Sequence, residues 1–458
     1  MKKWFSALLS ALLICSLANG ALAQSGETEA WTLLGDAYTY AFPLVIMDAT
    51  KTAATNVEAP DLAGHAPINQ LIHSQRLANA ESKMVVTPNV DTIYTQAWLD
   101  ISAEPMVYAM PEANRFFTVQ VLDAWTNTPA LLDQAGTYAF TLPDWEGTLP
   151  DSVTRVDVPT SMVWIIARIV LNGDGDLPAV REIQDGMKLL PLSAYESGAE
   201  YLPLKGEYRA QNDIVPVQAV LSMDMQTFFD TANRLIADNP PAQEDSEVVA
   251  SFAKLNIGPG LQFDAEQLPG DRAAQWRELL TGLRAKLVAA GREYMLTLGS
   301  WKYFGAPIGD FGTAYAYRAM VALGGLGANT VDIAIYPKTG LDENGDALTG
   351  EKTYVLHFDS LPPTLEGGFW SITAYGSDDF LIANPLNRYC LNDRSDLMMN
   401  DDGSLDVTLS INEPQNTNNW LPVSKENFHL YMRVYLPDMA GLDHWQPPVI
   451  TVQLPASA

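Results

Sequence analysis

Two blocks of short β-branched and aromatic runs, separated by a block with helical period, restrict this 458-residue chain more than any other feature. Between about residues 84 and 171 the runs MVVTPNVDTIYTQAWLDIS, PMVYAMP, RFFTVQVLD, GTYAFTLP and SMVWIIARIVL are punctuated by Pro, Gly, Asn and Asp. Runs of that length between turn-forming residues read as strands joined by tight connections. After Gly327 the pattern returns as TVDIAIYP, KTYVLHF, GFWSITAY, SLDVTLSI and NFHLYMRVYL. Many short strands at such spacing predict a sandwich or barrel in each block. The expected fold class is therefore α+β and multidomain, with two related, jelly-roll-like β-sandwich domains and a helical middle segment.

The blocks echo one another in their text. Asp91-Thr-Ile-Tyr94 is repeated as Asp332-Ile-Ala-Ile-Tyr336, Arg115-Phe-Phe-Thr-Val-Gln as Gly368-Phe-Trp-Ser-Ile-Thr, and Ile165-Ile-Ala-Arg168-Ile-Val-Leu as Leu430-Tyr-Met-Arg433-Val-Tyr-Leu. Three islands in the same order point to an internal duplication, although the spacings between them differ.

Between the blocks, Leu221, Met225, Phe228, Phe229, Ala232, Leu235 and Ile236 fall on one face of a helix that Asn239-Pro240-Pro241 stops. A long helix is expected over Arg272 to Leu298, with Asp271 as N-cap, and a third over Asp310 to Leu323. Trp31 to Thr52 has helical period with a kink or restart at Pro43, and Leu71 to Leu77 reads as a short helix. The run GGLGAN after Leu323 reads as a helix C-cap leading into the next strand.

Residues 2 to 23, KKWFSALLSALLICSLANGALA, carry two lysines, an apolar run and the small-residue site Ala21-Leu22-Ala23, the three parts of a secretory leader. An exported chain beginning at Gln24 is expected, periplasmic or secreted. The domain plan is then 1–23 leader, 24–83 helical, 84–175 first sandwich, 176–326 mainly helical and 327–458 second sandwich. No later segment supplies the ~20 apolar residues of a membrane span. One cysteine, Cys390, remains after cleavage, so no intramolecular disulfide can form and stability rests on buried apolar area.

Formal charge is −28, and removing Lys2 and Lys3 makes it −30. Such a field repels phosphate backbones, which excludes nucleic acid as a partner. The expected partners are a small-molecule ligand and, through one sandwich face, a second copy of the chain.

The islands VVTPNVDTIYTQAWLD, LGGLGAN, PPTLEGGFWSITAY, and NNWLP followed by FHLYMRVYLP resemble bacterial proteins that pair domain of unknown function 1254 with domain of unknown function 1214. The resemblance covers about residues 35 to 200 for the first and 320 to 440 for the second. It implies a β-rich, often exported protein and supplies no catalytic residue.

Familiar catalytic signatures are absent: the chain has no G-x-S-x-G, H-E-x-x-H, G-x-x-x-x-G-K-[ST] or C-x-x-C. The best candidate site is the stretch TPNVDTIYTQAW. Pro88 is expected to hold Thr87 extended, Asn89 and Asp91 to bond nearby amides, and Thr92, Tyr94, Gln96 and Trp98 to share one strand face. In VQVLDAWTN, Gln120, Asp123, Trp125 and Asn127 cluster at a second strand end. If the two strands pair, Asp91 and Asp123 would share a low-dielectric cleft, where one carboxyl stays protonated and acid/base or metal work becomes available. Asp91, Asp123 and His73 are the catalytic candidates. Arg76, Asn89, Tyr94, Gln120, Trp125 and Asn127 are the substrate-binding candidates, with Arg76 three residues from His73 to orient an anionic group. The expected activity is that of a small-molecule hydrolase, and the alternative is a noncatalytic envelope protein that binds a carbohydrate or hydrophobic ligand.

No motif specifies a cofactor, while paired carboxylates would accept a divalent metal ion. Three acidic loops, at Asn172 to Asp176, Asp342 to Asp346 and Asn400 to Gly403, resemble calcium-ligand spacing but lack the full loop, and they read as turns. In the second block Tyr336, His357, Trp370, Tyr375, Asn384, Arg388 and Tyr389 form an aromatic and polar set suited to a planar or sugar-like ligand. Trp164, Trp370 and Trp420 are candidates for the cores.

Overall fold

The computed structural model describes residues 2–82 and 86–453; Met84 and Val85, at the expected start of the first β block, lie outside the described residues. The chain is mixed α/β with several antiparallel sheets. In the first half the strands are β1 (Ile72–His73), β2 (Thr92–Asp100), β3 (Met106–Met110), β4 (Phe117–Leu122), β5 (Ala130–Leu132), β6 (Gly136–Thr141), β7 (Val153–Asp157), β8 (Met162–Val170) and β9 (Lys188–Pro191). They form a five-stranded sheet in the order β1-β2-β8-β4-β5 and a four-stranded sheet in the order β7-β6-β3-β9.

Strand alternation explains why these two sheets hold together. Ile93, Ala97 and Leu99 of β2, Val119 and Val121 of β4, and Val163, Ile165, Ala167 and Ile169 of β8 point to one side. There they share a core with Met106, Tyr108 and Phe140 of the other sheet.

In the second half the strands are β10 (Met295–Leu298), β11 (Trp301–Phe304), β12 (Ala334–Ile335), β13 (Lys338–Thr339), β14 (Tyr354–Phe358), β15 (Thr364–Gly376), β16 (Cys390–Asn392), β17 (Leu405–Ser410), β18 (Trp420–Pro422), β19 (Phe428–Pro437) and β20 (Val449–Val452). One sheet runs β10-β11-β13-β19-β15-β16, with β12 also paired to β19, and a four-stranded sheet runs β18-β17-β14-β20. Trp370, Ile372, Leu430, Met432 and Val434 of the first share a core with Leu356, Val407, Leu409 and Ile450 of the second.

The echoed islands fall on matching register positions. Phe117 lies opposite Ile169, Thr118 opposite Arg168 and Gln120 opposite Ile166; Trp370 lies opposite Val434, Ser371 opposite Arg433 and Thr373 opposite Tyr431. Tyr94 pairs with Arg168. One step beyond the pair Ile335 and Val434, Tyr336 stands beside Arg433. A Tyr, an Arg and a small hydroxyl residue therefore occupy adjacent strands at the same level of both sheets.

The outer face of the first sheet is divided. Towards one end Trp98 and Trp164 stack with ring centroids 4.8 Å apart and, with Ile166 and Leu122, pack on the helices Lys2–Ala54, Met225–Asp238 and Tyr315–Gly324. Towards the other end Phe116 and Val170 meet Ile333, Ala334, Phe369 and Tyr435 of the second half.

Several local expectations are corrected. Pro43 does not restart the N-terminal helix, because Phe42, Leu44, Val45 and Ile46 around it are at most 1% exposed and their burial offsets one missing backbone bond. Leu71 to Leu77 is not helical: Ile72 and His73 pair with Gln96 and Thr95 at the edge of β2. The long helix ends at Gly291, and Met295 to Leu298 form a hairpin with β11, anchored by Trp301, which is fully buried and donates to the Pro448 carbonyl at 2.8 Å. The third helix starts at Tyr315 rather than Asp310. The N-cap at Asp271 forms as expected, its Oδ1 accepting from the Ala274 amide at 3.1 Å. Among the described residues, no helix is long and apolar enough to cross a membrane.

Candidate functional site

The stretch TPNVDTIY enters β2 through a turn built by Asn89, whose Oδ1 accepts from the amides of Asp91 at 2.7 Å and Thr92 at 3.1 Å. That local geometry is the expected one. Thr87 is not extended: its φ is +47°, and tertiary bonds hold it there. Its amide donates to the Asp379 carbonyl at 2.7 Å, and its own carbonyl accepts from Arg433 at 3.0 Å.

The structure does not bring Asp91 and Asp123 together. Both β2 and β4 pair antiparallel to β8, so they run the same way, with Thr92 opposite Val170 and Leu122 opposite Trp164. Asp91 and Asp123 each lie one step further out, which separates them by about 26 Å along the sheet at ~3.3 Å per residue. Asp123 fastens its own bend, accepting from the amides of Trp125 and Asn127 at 2.8 Å each and from Asn127 Nδ2 at 3.0 Å. Burial pushes its carboxyl up to about 6, against the lowering effect of those Asn127 bonds. Trp125 is core, its indole donating to the Asn239 carbonyl at 3.1 Å.

His73 lies on the edge strand β1, with Nδ1 2.8 Å from Thr95 Oγ1, and burial holds its imidazole below the usual range. Arg76 is exposed on a bend. A cavity beside Ile72, Gln96 and Trp98 measures about 20 Å³, enough for one water. Neither residue therefore joins a reaction centre with Asp91 or Asp123.

What converges instead is a polar layer between the two sheets that carry the echoed islands. Asp91, fully buried, accepts from Ser371 Oγ at 2.6 Å and from Arg394 at 2.8 Å. Arg168 Nη1 donates to Gln120 Oε1 and Asn329 Oδ1, both at 2.8 Å, and Nη2 to the Gly327 carbonyl at 2.6 Å. Its guanidinium lies 5.5 Å from the centre of the Tyr94 ring. Arg433 donates to Thr373 Oγ1 at 3.1 Å, to Tyr375 Oη at 2.7 Å and to the Thr87 carbonyl. Asn329 donates to Tyr336 Oη at 2.8 Å, and Asn89 donates to Tyr435 Oη.

The contacts cross over. The central arginine of the first sheet is held by Gly327 and Asn329, which lead into β12. The central arginine of the second is held by Thr87, which leads into β2. Reciprocal contacts of this kind are what a two-fold interface between two copies of one unit produces.

Two buried arginines carry the charge of this layer, as Arg318, 3% exposed beside Tyr40, Trp125 and Tyr315, does on the helical side. Arg168 and Arg433 are 5% and 4% exposed, and every acceptor named for them is neutral. Among the described residues neither forms an ion pair. Asp91 acts on Arg433 through space, but its oxygens are already engaged by Ser371 and Arg394. Burial raises the Tyr336 phenol above its ordinary range, while both arginines pull it back. Tyr336 nevertheless keeps some accessible surface, as do Tyr94 and Asn89. The hydroxyls of Thr92 and Thr118, on the same sheet face, are buried and have no hydrogen-bond partner among the described residues.

Of the expected residues, Asn89, Asp91, Tyr94 and Gln120 belong to this layer, whereas Asp123, Trp125, Asn127, His73 and Arg76 do not. The second-block set is also dispersed. Tyr336 and Tyr375 face the layer, and Trp370 is core. His357 lies on the other sheet, 2.7 Å from Asp406 and 3.1 Å from Asp359, and Asn384 and Arg388 fix a loop. Two of the acidic loops are turns: Asp342 Oδ1 accepts from the amides of Asn344 and Asp346, and Asp402 accepts from Ser404; the third runs through a 3-10 helix, Asp174–Asp176, into the helix Leu177–Gly186. Among the described residues no group of three or more His, Cys, Asp or Glu is placed to hold a metal ion. Sequence reading missed Arg394, Ser371, Asn329 and the role of the two arginines. The available signal was a lone arginine inside each of two otherwise apolar strands.

Residues 68–191 match the model of a protein family of unknown function, DUF1254, and residues 333–439 that of another, DUF1214. The matched segments contain Arg168 and Arg433 respectively. No curated protein is matched by the chain. Among solved structures the chain is similar to the VPA0106 protein from Vibrio parahaemolyticus, at 24% identity and a TM-score of 0.68, over 93% of this chain and 100% of that one. A putative uncharacterized protein from Burkholderia cenocepacia aligns over 94% of this chain and 96% of that one, at 13% identity and a TM-score of 0.40. The first likeness bears on the fold alone.

Proposed function

We propose that this chain, which carries a DUF1254 domain over residues 68–191 and a DUF1214 domain over residues 333–439, binds a small anionic molecule at the polar layer between its two β units. The observation that carries this reading is the pair of buried guanidiniums, Arg168 and Arg433, whose hydrogen-bond acceptors are all neutral. Arg168 has no carboxylate among its contacts and Asp91 reaches Arg433 only through space, so an anion entering this layer would gain affinity by compensating buried positive charge. Tyr94, Tyr336 and Asn89 supply accessible donors beside the arginines, and guanidinium groups match carboxylate and phosphate oxygens in geometry.

We read the two sheet pairs as related β-sandwiches, on the strength of the matching registers, and place the protein outside the cytoplasm on the strength of the leader pattern in residues 2 to 23. A hydrolase that needs Asp91 and Asp123 in one centre is disfavoured by their separation. Binding is therefore the leading reading, and the alternative of a hydrophobic ligand has less support because the side chains that keep accessible surface in this layer, Asn89, Tyr94 and Tyr336, carry polar groups.

The test is a thermal-shift series on the purified full chain with sodium acetate, sulfate and inorganic phosphate, against sodium chloride at matched ionic strength. Binding to the native state at 100 times Kd stabilises by about 2.7 kcal/mol, so at least one anion should raise Tm by several degrees. It should also slow amide exchange in residues 87–91 and 325–329. Equal Tm values in all four salts would sink the reading.

A further inference from the structure

The reciprocal contacts between the two units are incomplete in one place. Asp91 of the first unit sends its carboxylate onto Ser371 of the second, at 2.6 Å. The register position of Ser371, directly opposite Arg433, is occupied in the first unit by Thr118, directly opposite Arg168. The counterpart of Asp91 in the echoed text is Asp332, and a complete exchange would place its carboxylate on Thr118. It does not do so, because Asp332 stands four residues before Tyr336 whereas Asp91 stands three before Tyr94. The added residue is taken up in a turn, closed by the Ile333 and Ala334 amides on the Thr330 carbonyl at 3.0 Å each, and Asp332 on that turn is exposed.

Thr118 is 3% exposed, and its hydroxyl has no hydrogen-bond partner among the described residues; the same holds for Thr92, 1% exposed, on the adjacent strand β2. Buried hydroxyls without partners are uncommon, and each costs free energy that a ligand can recover. Both lie on the sheet face that carries Arg168 and Tyr94.

We propose that Thr118, with Arg168 beside it, receives a carboxylate of the bound ligand, as Ser371 receives the carboxylate of Asp91. The ligand class is thus a small carboxylic acid, and Asp91 is a carboxylate already seated at the equivalent register position of the second unit. This rests on the anion-binding reading above and specifies which anion and which half.

The experiment measures binding of acetate, succinate, sulfate and inorganic phosphate to the full chain, and to its Thr118→Val and Thr118→Ser variants, by calorimetric titration and Tm. Acetate or succinate should bind the parent and Thr118→Ser alike and bind Thr118→Val at least tenfold more weakly. The ligand-free Tm of Thr118→Val should be unchanged or higher, since the substitution removes a hydroxyl that has no partner. Carboxylates binding Thr118→Val as tightly as the parent would overturn the assignment. Binding of sulfate or phosphate without any carboxylate would overturn it too, while leaving the anion reading intact. If none of the four binds, both fall.

Discussion

Asp91 and Asp123 show how much the surroundings of a carboxylate decide what it does. Both follow directly from turn-forming sequence, and both are buried. Asp91 is met by a guanidinium and a serine hydroxyl from the other half of the chain. Asp123 is hydrogen-bonded by groups of its own bend, with the Arg318 charge nearby, and burial lifts its carboxyl to about 6. Its sign in the pH dependence follows. Between about pH 4 and pH 6 the fold keeps a proton that the unfolded chain has released, so stability falls as pH rises through that window. Replacing Asp123 by Asn should remove that decline, read as urea midpoints at pH 4.5 and 7; an identical decline in parent and variant would show that the carboxyl does not titrate there. The sequence marked both residues as turn formers. It could not show their separation, which depends on how two strands register on a third.

At the scale of elements, the strands β8 and β19 organise the molecule, since each is the centre of its sheet and each carries one arginine among apolar residues. Periodicity made both strands legible, and the alternation predicted for Thr92, Tyr94, Gln96 and Trp98 is the one found. It did not make legible the use of the loop after the helix Tyr315–Gly324, read only as a cap. Gly327 has a φ of +77°, and a Cβ there would stand 3.0 Å from Ile166 Cδ1 and 3.2 Å from the Trp164 ring, while its carbonyl accepts from Arg168. The substitution Gly327→Ala should therefore cost about 2 kcal/mol through the unfavourable dihedral and weaken any anion-induced Tm shift along with it. An unchanged urea midpoint would mean that the loop yields freely. Met295 to Leu298 carry the complementary lesson: a run that continues a helical pattern becomes a strand when β11 offers it an edge to pair with.

For the molecule as a whole, the crossed bonds of Arg168 and Arg433 make each unit a support for the other, since each supplies acceptors to the guanidinium that the other buries. The two halves should therefore unfold together, with calorimetric and van't Hoff enthalpies in agreement; two resolved transitions would contradict that. The sequence by itself determined most of the strands, the helices Met225–Asp238 and Arg272–Gly291, that the chain is acidic, and that its two β blocks echo each other. All of these are properties of near neighbours along the chain, because dihedral preferences and the periods of 2 and 3.6 residues act locally. The tertiary structure alone decided that Asp91 would meet Ser371 and Arg394, that Asp123 would stay with its own bend, and that two arginines would be buried against a shared polar layer. Those outcomes turn on register and sheet packing between segments hundreds of residues apart, where a shift of one residue exchanges the buried face for the exposed one.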